Sequence, residues 1–254
     1  MTDGTLLGVE NLTKVFSRKG RPEVTAVRDV SFHLAAGERL GLIGESGSGK
    51  STVARLILRL LEPTLGHIFF DGEDIGGARG EALRAYYRKV QAVFQSPRES
   101  FDPRRTLGDG IGESLLNAGM DAGEVRGEVG RLLTACGLPT DFAARYPHEV
   151  SGGQCQRAAI ARALAIRPKL LICDEATSAL DVTIQAEIVA LLSRLMRERV
   201  MACLFISHDI ALAQSFCDRV LVMYRGKIVE AGTPDEVIQS PKQAYTKMLI
   251  DSIL

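Results

Sequence analysis

Gly44-Glu45-Ser46-Gly47-Ser48-Gly49-Lys50-Ser51, with Thr52 directly after it, puts three glycines, a lysine and a terminal hydroxyl at the spacing G-x-x-x-x-G-K-[ST]. Gly44, Gly47 and Gly49 let the backbone enter left-handed conformations and bring its N–H groups close to phosphate oxygens. A following helix N-terminus adds partial positive charge at the same place. Lys50 would neutralise β- and γ-phosphates, and the Ser51 hydroxyl would ligate Mg²⁺. The flanks fit this chemistry. The apolar run Arg39-Leu40-Gly41-Leu42-Ile43 precedes the loop as a strand, and Val53, Leu56, Ile57, Leu60 and Leu61 recur at helical spacing after it, with Pro63 ending the run.

Three further segments can act on a bound triphosphate. Lys169-Leu170-Leu171-Ile172-Cys173 reads as a strand buried on both faces that delivers Asp174 and Glu175 at its C-terminal edge, where open parallel sheets bind ligands. Asp174 suits a Mg²⁺ contact and Glu175 the base that polarises an attacking water. A second such strand, Ala202-Cys203-Leu204-Phe205-Ile206, ends at Ser207-His208-Asp209, and the imidazole of His208 can hydrogen-bond a γ-phosphate. Ser151-Gly152-Gly153-Gln154 caps an expected helix from Gln154 to Ala165, so a second helix N-terminus is available to an anion. Gln95 follows the apolar strand Val90-Gln91-Ala92-Val93-Phe94.

The remaining chain must hold these groups in place. Strand-like patterns at residues 6–15, 24–34 and 66–71 predict an antiparallel sheet, and helical stretches are expected around Ile111–Gly119, near Glu124–Cys136 and over Ile184, Ile188, Leu191, Leu192 and Leu195. Val220–Tyr224 and Lys227–Glu230 read as a hairpin around Arg225-Gly226. The expected fold class is α/β: a P-loop NTPase core with a mixed sheet, an antiparallel β subdomain and an inserted α-helical subdomain. The expected organisation is one domain, with a core lobe at about 1–95 and 161–230, a helical lobe at about 96–160 and a short tail at 231–254.

At 254 residues, with 46% apolar and 24% charged positions, the composition is that of a globular protein able to bury a sizeable core. Lys+Arg and Asp+Glu balance at 31 each, which argues against a nucleic-acid or anionic-membrane surface. There is no apolar run long enough to span a bilayer and no signal-peptide pattern at Met1-Thr2-Asp3-Gly4. Cys136, Cys155, Cys173, Cys203 and Cys217 are dispersed without C-x-x-C spacing and are expected as reduced thiols in cytoplasm, with no metal site.

Taken in order, the phosphate loop, Gln95, Ser151-Gly152-Gly153-Gln154, Asp174-Glu175, Ser178-Ala179-Leu180-Asp181 and His208 resemble the motif series of ABC transporter nucleotide-binding subunits over essentially the whole chain. The resemblance implies a head-to-tail dimer, homo- or heteromeric, with ATP and Mg²⁺ between one subunit's phosphate loop and the other's Ser151 and Gly153. It also implies Asp181 at the dimer seam, Gln95 near Mg²⁺ or the attacking water, and Phe16 as the aromatic stacked on adenine. The segment Val93–Thr106, with Tyr146-Pro147-His148-Glu149 and Ala244-Tyr245-Thr246, resembles the oligopeptide, dipeptide and nickel importer branch, although Asp102 stands where that branch often has asparagine. By that resemblance the chain lies peripherally on the cytoplasmic face of the inner membrane, with two permease subunits and an extracytoplasmic solute-binding protein as partners. The C-terminal end at Leu254 leans toward nickel importers. A soluble ATPase of another pathway, such as phosphonate degradation, is the alternative.

Overall fold

β1 (Thr5–Arg18) and β2 (Arg21–Ala35) pair antiparallel in the computed structural model, which describes residues 4–18, 20–177 and 180–251. Leu7, Val9 and Leu12 of β1 and Val27, Val30 and Leu34 of β2 are buried, and irregularities in register interrupt strict alternation. Asn11 and Asp29 take the left-handed conformation within these strands, at φ 48° and 51°, and their side chains are joined at 2.9 Å. Asn and Asp are the non-glycine residues that tolerate this region best. The chain divides into two compact units, Met1–Tyr87 with Val200–Leu254 and Arg88–Arg199.

In the first unit, β3 (Arg39–Ile43) leads through the glycine loop into α1 (Lys50–Ile57). The helix is shorter than its apolar spacing predicts, and Leu60 and Leu61 do not extend its buried face; Leu60 is 58% exposed. Arg59 turns left-handed (φ 55°), the Leu60 N–H donates to Arg55 O at 2.9 Å and the Arg59 N–H to Leu56 O at 3.0 Å. That 6→1 and 5→2 pair closes the helix as a Schellman motif before Pro63 is reached. β4 (Leu65–Phe70) and the short β5 (Glu73–Asp74) then complete an antiparallel sheet of order β2-β1-β4-β5, and α2 (Gly80–Lys89) follows. Tyr86 of α2 is buried edge-on against Phe70, and its hydroxyl donates to Ile57 O at 2.7 Å.

The second unit begins with β6 (Val90–Phe94) and continues into the helices α3 (Leu107–Asn117), α4 (Ala122–Ala135) and α5 (Gly152–Leu164). α3 starts four residues before the expected Ile111, because Thr106 and Asp109 form a reciprocal capping box that fixes its first turn. α3 and α4 pack on each other and both pack on α5. β7 (Leu170–Asp174) is buried throughout and pairs parallel with β6, and α6 (Val182–Arg199) buries Ile188, Leu191, Leu192 and Leu195 as their spacing predicts, while Ile184 is only half-buried.

Back in the first unit, β8 (Ala202–Ser207), α7 (Ile210–Phe216), β9 (Arg219–Tyr224), β10 (Lys227–Gly232), α8 (Pro234–Gln239) and α9 (Ala244–Asp251) follow. β3 pairs parallel with both β8 and β9, and β9 pairs antiparallel with β10, so this sheet is mixed as expected. Arg39 at the start of β3 grips Asp218 through both its guanidinium and its backbone N–H. The five cysteines are all buried, and none is in a disulfide. No described helix is long and apolar enough to cross a membrane.

Candidate active site

The phosphate loop hangs from the C-terminal end of β3 and is shaped by contacts that only glycine permits. A Cβ on Gly44 would lie 2.2 Å from Met223 O of β9, and one on Gly49 would lie 2.3 Å from Ala26 O of β2. The turn between β9 and β10 reaches the loop as well, with the Gly226 N–H donating to Ser48 O at 2.9 Å. Lys50, only 3% exposed, curls its Nζ back to the carbonyls of Gly44 and Glu45, both at 2.7 Å. α1 therefore starts beneath an inward-turned ammonium. Its N-cap is Gly49, which supplies no capping side chain, and no acidic residue stands in its first turn. The Ser48 hydroxyl is buried without a hydrogen-bond partner in the described structure. A backbone concavity, a buried cation, an unneutralised helix N-terminus and an orphaned hydroxyl together fit a polyphosphate. Ser51 and Thr52 are half-buried in the first turn of α1.

His208 belongs to the same edge. Ile43 pairs with Ser207 across the parallel β3–β8 ladder, so the loop and His208 leave neighbouring strands at equivalent positions. The imidazole is exposed, and the next residue, Asp209, caps α7 by accepting from the Leu212 N–H at 3.0 Å. Phe16 is 41% exposed beneath the Lys14 ammonium, which lies 5.3 Å from its ring centroid. It pairs with Val24, two residues along β2 from the Ala26 carbonyl that abuts Gly49.

In the second unit, register does the same work for the acidic pair. Phe94 pairs with Asp174, so Gln95 and Glu175 emerge side by side from β6 and β7. Asp174 is 6% exposed, whereas Gln95 is exposed and Glu175 half-buried. Glu175 is also held left-handed at φ 50°. A non-glycine residue in that region costs about 1 kcal/mol or more, and such residues concentrate at functional sites. Within the second unit, the amide oxygen of Gln95 and the carboxylate of Asp174 are hard oxygen donors of the kind Mg²⁺ prefers; within the first unit, the Ser51 hydroxyl is another. Among the described residues, no cluster of three or more His, Cys, Asp or Glu side chains could hold a metal ion unaided.

Ser151 is the N-cap of α5, and its partner is Gln154. The Gln154 N–H donates to Ser151 Oγ at 3.3 Å and the Ser151 N–H to Gln154 Oε1 at 2.9 Å. This box uses the hydroxyl only as an acceptor, which leaves its own proton to be donated elsewhere. Gly152 and Gly153 form the first turn, and a Cβ on Gly153 would meet Ile184 Cγ2 of α6 at 2.7 Å. Arg157, one turn on, ties α5 to its surroundings through Cys136 O at 3.2 Å and Glu187 at 2.7 Å. Asp181 caps α6 through the Ile184 N–H at 3.0 Å. Ser178 and Ala179 lie outside the described residues.

One contact was not foreseen from the loop's own sequence: the Glu45 N–H donates to the hydroxyl of Tyr245, 200 positions away in the chain, at 3.0 Å. In the sequence, Ala244-Tyr245-Thr246 marks only the resemblance to the importer branch, and nothing local gives Tyr245 a partner in the loop.

A profile of the family described as "ABC transporter" matches residues 27–178. A protein of Sinorhizobium fredii named "Probable peptide ABC transporter ATP-binding protein y4tS" is 47% identical over 96% of this chain and 71% of its own length. "Oligopeptide transport ATP-binding protein OppF" of Escherichia coli is also 47% identical, over 90% of this chain and 69% of its own. Among solved structures, the "dimeric structure of a post-hydrolysis state of the ATP-binding cassette MJ0796 bound to ADP and Pi" is similar with a TM-score of 0.82 at 29% identity, covering 90% of this chain and 99% of that one.

Proposed function

The chain belongs to the ABC transporter family, whose ATPase fold it has, and from that premise we propose that it is the ATP-hydrolysing subunit of a peptide importer. The observation that carries the cargo class is the 47% identity, across most of the chain, to two relatives whose names state peptide or oligopeptide transport. Peptides are proposed ahead of nickel on that ground. The same identities favour a transport ATPase over an ATPase of another pathway.

The chemistry follows residue by residue. The loop Gly44–Ser51 cradles the β- and γ-phosphates through its N–H groups, and Lys50 turns its ammonium from the loop carbonyls to them. Exchanging carbonyl dipoles for anionic oxygens strengthens each of these hydrogen bonds. Ser51, Gln95 and Asp174 would hold Mg²⁺, which screens the charge on the phosphate oxygens when bound. Glu175 accepts a proton from the attacking water, and His208 hydrogen-bonds the γ-phosphate as charge develops there. Phe16 stacks on adenine. Ser151 and Gly153 serve a second copy or a homologous subunit, donating to its γ-phosphate across a head-to-tail dimer with Asp181 at the seam. Closure of that dimer on ATP and its release after hydrolysis would drive two permease subunits, loaded by an extracytoplasmic solute-binding protein, from the cytoplasmic face of the inner membrane.

The test is affinity purification of tagged Glu175→Gln protein with ATP from detergent-solubilised membranes of its source, followed by mass spectrometry. Two polytopic permeases and a second ATP-binding subunit are expected. Recovery of soluble enzymes alone would sink the importer assignment.

A further inference from the structure

Lys50 is held by the carbonyl of Gly44, and that carbonyl shares one rigid peptide plane with the N–H of Glu45. In a trans peptide the two groups point in opposite directions. The carbonyl faces the ammonium of Lys50 at 2.7 Å, and the N–H on the far side donates to the hydroxyl of Tyr245 at 3.0 Å. Whatever fixes the N–H therefore fixes the carbonyl. We propose that Tyr245 is a positioning residue for the phosphate loop, which sets the Gly44–Glu45 peptide plane and through it the resting place of the Lys50 ammonium. This inference rests on the nucleotide-binding reading of the loop given above.

Tyr245 is well placed to hold a peptide still. It is 8% exposed, and its ring stacks on Tyr224 with centroids 4.0 Å apart. Tyr224 ends β9, whose Met223 carbonyl is the group that a Cβ at Gly44 would strike. The helix that carries Tyr245 is anchored in turn: the carboxylate of Glu230 in β10 accepts the N–H groups of Lys242 and Gln243 at 2.8 and 3.0 Å, directly before α9. Carbonyl, peptide plane, phenol, stacked ring and anchored helix form one continuous support. Its parts lie far apart in sequence and meet only in the folded first unit.

Tyr245→Phe tests this in the full chain, because phenylalanine keeps the ring and its stacking and removes only the oxygen. Loss of one neutral hydrogen bond that biases the loop is expected to weaken ATP binding by about three- to tenfold in isothermal titration. KM for ATP should rise by the same factor, with a smaller change in kcat. In the nucleotide-free chain, exchange of the Glu45 amide proton should accelerate by a similar factor, while the amides of Leu40 and Leu42 in β3 keep their rates. Unchanged affinity together with unchanged Glu45 exchange would overturn the proposal. So would an acceleration spread equally over β3, which would make Tyr245 a general packing residue. If the wild-type chain itself binds no ATP in this assay, the nucleotide reading fails, and the inference falls with it.

Discussion

Alanine at Gly49 should cripple the phosphate loop where alanine at Gly47 only strains it, because the two glycines are needed for different reasons. Both sit at positive φ, 110° and 80° respectively. An alanine forced there costs about 1–2 kcal/mol at either position. At Gly47 that is the whole effect, since no atom lies within 4 Å of the added Cβ. At Gly49 the same Cβ would stand 2.3 Å from the Ala26 carbonyl oxygen and 2.8 Å from Met223 Cε, inside the 3.0 Å that real Cβ atoms respect. The Met223 methyl can swing aside, but the Ala26 oxygen is backbone within a paired strand, so the loop must move. Overpacking of this kind adds about 1–3 kcal/mol. For a chain of this length each kcal/mol shifts the melting midpoint by about 2–4 °C, so Gly47→Ala should lower it by about 4 °C and Gly49→Ala by about 10 °C. Differential scanning fluorimetry of the nucleotide-free proteins measures both. Equal shifts, or a Gly49→Ala protein that melts with the wild type, would refute the argument from close approach.

Three more outcomes follow from the site. Glu175→Gln should lower steady-state ATP hydrolysis by about a hundredfold or more while leaving ATP bound, and undiminished turnover would remove Glu175 from the base role. Ser151→Ala should cost about 1 kcal/mol through the lost cap of α5 and should also slow hydrolysis in the proposed dimer; a loss of stability with unchanged turnover would leave Ser151 a cap and nothing more. Asp218 supplies a pH dependence: burial pushes its carboxyl up, but the hydrogen bonds from the Arg39 side chain and backbone outweigh this and hold it below the usual carboxylate range. Its contribution is therefore complete above the unfolded value near 4 and is lost as pH falls through the lower folded value. The gap in urea midpoint between wild type and Asp218→Asn should be constant from about pH 7 to 5 and close in stronger acid; a gap independent of pH would contradict the assignment.

Much of this site could be read along the chain because its groups sit at the ends of buried parallel strands. A strand covered on both faces is an unbroken apolar run, so β3, β7 and β8 announce themselves, and the polar residue that ends each run marks the sheet edge. Helix ends were less legible. Leu60 and Leu61 keep the right spacing for α1, but the backbone at Arg59 turns left-handed first, and arginine carries no local signal for that. The start of α3 could have been found, since Thr106 and Asp109 spell a capping pair. The support of the loop by Tyr245 could not, because a hydrogen bond spanning 200 positions leaves no periodicity behind.

The burial of every cysteine has a practical side. Desolvation pushes the thiols of Cys136 and Cys155 up to about 12 and about 11, so at neutral pH these carry almost no reactive thiolate, and all five sulfurs are shielded from reagent. A single cysteine introduced at an open position such as Met248, 64% exposed, or Val200, 76% exposed, would then be the one fast-reacting thiol on an otherwise native chain. Spin labels and fluorophores could be placed by maleimide chemistry without first stripping the natural cysteines from the core, and the motions of a working cassette could be followed in unaltered packing.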